Sequence, residues 1–215
     1  MTDSTAGTPG LPSGLDALRR FTRAEPPVER CELCGAVLAP EHPHLLERKA
    51  RRVACSCRAC ALLFFDQPNG HYLRIPERVL RLNDFAFSDL EWDAMMLPIG
   101  LVFFVRDEAG QIGAFYPGPA GIVESLVAVD RCGEQFAAHP LLSAMQPEVE
   151  ALLVNRIGAN RACFLVPIDE CFRLAGLIRQ NWHGLSGGSP VWAAVAGFFD
   201  ELQQRIERRR HVRYA

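Results

Sequence analysis

The chain of 215 residues is 49% hydrophobic and 22% charged, which excludes a disordered polymer and leaves room for one sizeable core, or for a small module beside a larger domain. A formal charge of −2 and a pI near 6.3 exclude nucleic-acid binding through overall charge and leave only a local basic patch for that role. No run of about 18 uncharged apolar residues occurs, so no membrane span is expected.

The first stretch, 1–14, is rich in Thr, Ser, Gly and Pro, with neither a basic start nor an apolar run. It does not read as a secretory signal, so the expected compartment is the cytoplasm, where clustered cysteines serve as metal ligands more often than as disulfides. Residues 1–27 are expected to form a flexible tail with a short helix over 15–23, capped by Ser13. A cysteine module follows over 28–66 and closes on the apolar run 61–65, which reads as a strand. The remainder, 67–215, reads as an α+β domain.

Within that domain strands are expected near 72–75 and within 78–87, followed by a helix from Ser88 to Met96, because Ser88-Asp-Leu-Glu91 has capping-box form. The dense apolar run 99–106 reads as a buried strand, with 112–116 as its hairpin partner across Ala109-Gly110. Residues 117–121 read as a rigid Pro/Gly loop before an apolar segment over 122–129. Residues 141–157 read as either helix or strand; Pro147 splits them and favours a strand over 149–156, and a further strand is expected over 162–166. Asp169 is placed to cap a helix running towards Trp182, and Ser189-Pro190 to supply the N-cap and first residue of the last helix. The apolar stripe of that helix is Trp192, Val195, Phe199, Leu202 and Ile206. The fold class is therefore α+β: a small four-cysteine, zinc-ribbon-like module, then a mainly antiparallel sheet with two C-terminal helices packed on it.

The chemistry concentrates in one place. Five of the eight cysteines fall between Cys31 and Cys60, and four of them form two Cys-x-x-Cys hooks, Cys31/Cys34 and Cys57/Cys60. Each hook offers two thiolates from one tight turn, and two hooks close a tetrahedral site suited to Zn²⁺, with iron as the alternative occupant. Gly35 directly after the first hook fits a turn whose amides point at sulfur; Ala61 holds the matching place after the second, so the halves are not equivalent. Cys55 is left over and offers an alternative ligand. His42 and His44, in Glu-His-Pro-His, can replace a thiolate or be plain loop histidines. Arg48, Lys49, Arg51, Arg52 and Arg58 lie close enough in sequence to offset the charge of four thiolates, and the same run is the candidate patch for phosphates.

Beyond the hooks, no nucleophile elbow, Walker loop or dinucleotide fingerprint occurs, and nothing brings His139 or His183 to a cysteine, so no enzyme activity is expected. Cys132, Cys163 and Cys171 read as buried small hydrophobes. The glycines of 184–188 read as a helix connector, with anion binding at the next helix as the alternative.

Three segments together resemble a known family: Cys31-Glu-Leu-Cys-Gly35, the run from Cys55 to Phe64, and 164–179 followed by Gly184-Leu-Ser-Gly-Gly188. They resemble an uncharacterised bacterial family encoded within gene clusters for high-affinity uptake NiFe-hydrogenases. The resemblance implies a cytoplasmic accessory or maturation factor with a hydrogenase subunit or assembly factor as partner, and it carries no catalytic residue. The cysteine module more loosely resembles zinc-ribbon and rubredoxin-like modules. The leading expectation is a non-enzymatic metal-binding accessory protein; a rubredoxin-like electron carrier and a zinc-ribbon nucleic-acid binder are the alternatives.

Overall fold

The computed structural model describes residues 28–64, 70–125, 132–184 and 187–212, so the helix expected over 15–23 lies outside the described residues. Two antiparallel sheets organise the chain. The smaller has strands β1 (His44–Glu47), β2 (Arg52–Cys55) and β3 (Tyr72–Arg74) in the order β2-β1-β3. The larger has β4 (Leu80–Leu82), β5 (Leu101–Arg106), β6 (Ile112–Gly118), β7 (Gly121–Glu124), β8 (Glu150–Asn155) and β9 (Ala162–Pro167), ordered β4-β9-β8-β5-β6-β7. Every pairing in both sheets is antiparallel.

The central strands are apolar throughout because the large sheet is covered on both faces. Side chains alternate across a strand, and the register sets Phe103 opposite Leu153 and Leu153 opposite Phe164. Leu101, Phe103, Val105, Leu153, Phe164 and Val166 thus point to one face. There they meet helices α5 (Ile168–Asn181) and α6 (Gly188–Val212) through Leu174, Ile178, Val195 and Phe198. Val102, Phe104, Leu152, Val154 and Leu165 point to the other, against Phe87, Phe136, Leu142 and Met145. The α+β architecture with two C-terminal helices on the sheet is the one expected. Leu46 of β1 and Ile75 also join the first of these cores, which ties the small sheet to the large one.

The helix at 88–96 forms as its capping box dictates. Ser88 Oγ accepts from the Glu91 amide at 3.2 Å, and Glu91 accepts from the Ser88 amide at 2.7 Å, opening α2 (Asp89–Ala94). Two short helices, α3 (Cys132–Ala138) and α4 (Pro140–Ser143), precede β8.

Several local expectations are corrected. Residues 58–63 form a helix, α1 (Arg58–Leu63), where 61–65 read as a strand; Cys57 caps it by accepting from the Cys60 amide at 3.4 Å. Its Leu62 and Leu63 are exposed, so the apolar run does not mark a buried strand. Residues 117–121 are the end of β6, a two-residue turn and the start of β7, where Pro117 pairs with Ile122. Only Leu80–Leu82 of 78–87 is strand. Pro167, not Asp169, occupies the N-cap of α5. Helix α6 begins at Gly188, ahead of the expected cap at Ser189, and Val191 replaces Trp192 on its buried stripe, leaving Trp192 exposed.

One glycine is fixed by a close approach. At Gly100 the Arg156 amide donates to the Gly100 carbonyl at 2.6 Å, and an added Cβ would lie 2.6 Å from the Arg156 carbonyl oxygen. That oxygen and the Arg156 carbonyl carbon, 2.8 Å away, are backbone and cannot rotate away. Gly100→Ala should cost about 1–3 kcal/mol, read in urea as a lower midpoint with an unchanged slope.

Candidate metal centre

The first hook is a knuckle. The Gly35 amide donates to the Cys31 carbonyl and the Cys31 amide to the Ala36 carbonyl, each at 2.8 Å, and Gly35 takes φ +74°. That left-handed value is strained for any residue with a Cβ, which explains the glycine. Arg30 and Val37 bridge across the knuckle, closing it as a small hairpin. The second hook is different: Cys57 is the N-cap of α1 and Cys60 lies in its first turn. One pair of sulfurs thus comes from a turn and the other from a helix start.

Glu32 joins the hooks. Its carboxylate accepts from the Cys55 amide at 2.8 Å, and its own amide donates to the Cys55 carbonyl at 3.0 Å. The knuckle is thereby pinned to the end of β2, two residues before the second hook. Ser56, fully buried, donates through both amide and hydroxyl to the Pro43 carbonyl at 3.0 Å and fixes the next step of the chain.

The result is convergence. The sulfurs of Cys31, Cys34, Cys57 and Cys60 all lie within 4.8 Å of one another. Cys34 and Cys57 are 3.7 Å apart, far beyond a disulfide's ~2.05 Å. Two thiolates on one tetrahedral ion at ~2.3 Å would stand about 3.8 Å apart. Cys31 and Cys60 are buried, whereas Cys34 is exposed, so the site has a dry and a wet side. Such a donor set is compatible with Zn²⁺ or iron.

The electrostatics also call for a cation. Burial opposes ionisation of Cys31, yet hydrogen bonds from the backbone at Cys57, Cys34 and Leu33 lower its thiol to about 6. Burial first, and then the neighbouring thiols of Cys34, Cys57 and Cys31, push Cys60 up to about 12. The Cys31 thiolate forms readily while Cys60 stays protonated; a dication between them would remove that conflict.

The other candidates lie elsewhere. Cys55 falls outside the four-sulfur group and instead lies with His42 and His44. His44 Nδ1 is 2.6 Å from Asp169 Oδ2, and that hydrogen bond outweighs burial to raise the imidazole's pKa. Asp169 is the residue that sequence reasoning misplaced: its position at a helix start read as a cap, and 125 residues of separation from His44 hid the pairing. Three of the five basic side chains of 48–58 are engaged by other partners. Arg48 pairs with Glu108 and with Glu148 at 3.1 Å, Arg52 pairs with Glu32 and with Glu47 at 3.1 Å, and Arg51 lies over the Phe115 ring.

Cys163 and Cys171 are buried, and burial raises both thiols, consistent with a packing role. At the glycine connector, the His183 amide donates to the Gly187 carbonyl at 3.1 Å, and an added Cβ at Gly187 would meet Val191 Cγ1 at 2.7 Å. Local packing therefore accounts for that glycine. Among the described residues, no helix is long and apolar enough to cross a membrane.

No curated protein and no solved structure matches the chain. Residues 30–206 match the profile of a family of unknown function, a span that takes in both hooks and all nine described strands. A match over so much of the chain, from the first knuckle to the last helix, places it: the protein belongs to that family, DUF5947.

Proposed function

We propose that the protein is a non-enzymatic, cytoplasmic accessory factor in which Cys31, Cys34, Cys57 and Cys60 hold one structural Zn²⁺, and that it assists maturation or assembly of a NiFe-hydrogenase. The observation that carries the metal reading is the 3.7 Å spacing of Cys34 and Cys57 within a group of four converging sulfurs. Four protein ligands leave no open coordination position, which is the pattern of a structural site. Zinc is favoured over iron because the hooks are unlike: one is a knuckle with a glycine, the other opens a helix.

The hydrogenase reading rests on the resemblance of the two hooks and of 164–188 to the family encoded beside uptake hydrogenases. The partner surface is assigned to the module, where Leu62 at 67% and Leu63 at 68% exposure stand side by side on α1. Nucleic acid is disfavoured because Arg48 and Arg52 are already engaged by carboxylates.

Deleting the gene should lower hydrogenase activity and cofactor loading, and the tagged protein should co-purify with a hydrogenase subunit or assembly intermediate. Unchanged activity and loading in the deletion strain would overturn the assembly role. Metal analysis of anaerobically purified protein should find zinc in a colourless sample. A red protein with visible charge-transfer bands would replace it with iron and an electron-transfer role.

A further inference from the structure

The geometry points to a second metal site, separate from the four cysteines, in which His42, His44 and Cys55 bind a divalent ion of the Zn²⁺ class. A ring nitrogen from each histidine and the Cys55 sulfur all lie within 4.8 Å of one another. This inference does not depend on the hydrogenase reading.

The site is built on fixed elements. His44 in β1 and Cys55 in β2 are directly opposed partners in the antiparallel register, so their side chains share a face of the small sheet. His42 precedes by two residues, across Pro43, and its ring meets that of His44 edge-on at a centroid distance of 4.9 Å. Cys55 is further held through its amide by Glu32.

Both imidazoles are oriented through Nδ1. In His42 that nitrogen is 2.9 Å from the Ala39 carbonyl, to which only an N–H can donate. In His44 it is 2.6 Å from the Asp169 carboxylate. With Nδ1 protonated in each neutral ring, Nε2 carries the free lone pair, as in carboxylate–histidine–metal arrangements. His42 Nε2 is the telling atom. The side chain is only 7% exposed, and Nε2 is buried with no hydrogen-bond partner. A buried, unsatisfied nitrogen acceptor costs free energy unless something occupies it. A loop histidine would leave it in water; the His44–Asp169 pair does nothing for it.

Two imidazoles and a thiolate form a borderline-soft donor set that suits Zn²⁺ and its spectroscopic stand-in Co²⁺. Ligand atoms around a tetrahedral ion of this type stand about 3.3–3.6 Å apart, so binding draws the two rings and the Cys55 sulfur closer together. Asp169, from the start of α5, is a positioning residue: it holds His44 and offsets positive charge on its ring, whether from a proton or from an ion. On binding, the Cys55 thiol releases its proton to solvent and the sulfur enters as thiolate. Both histidines also line a cleft of about 660 Å³. Three protein ligands leave the fourth position to water or a small exogenous ligand, unlike the closed four-cysteine site.

The test is Co²⁺ and Zn²⁺ titration of the full-length chain, purified and handled anaerobically, against a chromophoric chelator. The wild-type protein should bind two equivalents per chain, and Cys55→Ser and His42→Ala should each bind one, with the far-ultraviolet circular dichroism of the folded chain. In the wild type the second Co²⁺ equivalent should add its own sulfur charge-transfer intensity, and no such increment should appear in Cys55→Ser. Should either ligand variant fail to fold, Asp169→Asn leaves all three ligands in place and should weaken the second equivalent about 10–100-fold while leaving the first unchanged. Saturation of the wild type at one equivalent, or two equivalents at wild-type affinity in all three variants, would overturn the second site. Failure here leaves the four-cysteine zinc reading untouched, because that reading concerns the first equivalent.

Discussion

Removing the metal proposed for the four cysteines should release the module's two hooks from the fold while the six-stranded sheet stays intact. The reason lies in what else holds the hooks. Between Val28 and Pro43, Cys31 is the only buried residue, and Val28 and Val37 are exposed. Around the second hook only Ser56, Cys60 and Ala61 are buried, while Leu62 and Leu63 face outward. So little apolar burial, at roughly 25 cal/mol per Å², does not offset the entropy of ordering each residue, about 1–2 kcal/mol for the backbone alone. Structural zinc in small modules supplies an apparent ~10–16 kcal/mol, comparable to the entire stability of a typical domain. The strands β1 and β3 should persist, since Leu46 and Ile75 are anchored in the main core. Hydrogen exchange after anaerobic chelation should show peptides over 28–43 and 56–64 losing protection, with 101–106 and 150–155 unchanged. Cys60→Ser should reproduce the pattern without a chelator. Retained protection in the hook peptides would mean that Glu32 and Ser56, rather than the metal, hold the module.

What could be foreseen from sequence was whatever is written locally. The hooks announce themselves because two sulfurs three positions apart sit at the turn that presents them, and Ser88 and Glu91 are both halves of one cap. The apolar runs that became β5 and β9 are dense enough to read as strands, whereas 141–157, which holds β8, is open to helix or strand until Pro147 splits it. The failures were of another kind. Ala61-Leu-Leu-Phe-Phe is apolar and reads as a strand, but the Cys57 sulfur accepting from the Cys60 amide commits the chain to a helical turn one residue earlier. Leu62 and Leu63 of that run lie on an exposed helix face rather than in a core. Asp169 carries a residue type that favours helix caps, and only the three-dimensional approach of β1 to α5 gives it His44 instead. Arg48, close to the cysteines in sequence, is drawn away by Glu108 and Glu148, which the chain delivers from 60 and 100 positions onward. Contacts of that range leave no trace in local pattern.

The same blindness covers the most buried charge in the described chain, and the expected effect there is large. Glu150 opens β8 with a side chain 0% exposed, gripped at both oxygens by Arg78, with the Gln146 amide donating to Oε2 at 2.8 Å. Arg78 itself is 36% exposed and also donates to the Ala144 carbonyl at 3.2 Å. The two partners should therefore respond unequally to mutation. Arg78→Ala strands a carboxylate away from water and should cost about 3–5 kcal/mol. Glu150→Gln leaves an arginine that can turn to solvent and an amide that still accepts from Gln146, so its cost should be about 1–3 kcal/mol. Replacing both at once, Arg78→Met with Glu150→Leu, removes the desolvated charge together with its partner. That variant should recover most of the loss, because a buried ion pair contributes little net stability against an apolar pair of similar volume. Urea unfolding of the metal-loaded protein measures all three. Equal losses for the two single variants, or a double variant no better than Arg78→Ala, would show that the pair is not a desolvated charge balanced by its partner. The asymmetry follows from exposure rather than from distance: the same two side chains make the contact, but only one of them has water to return to.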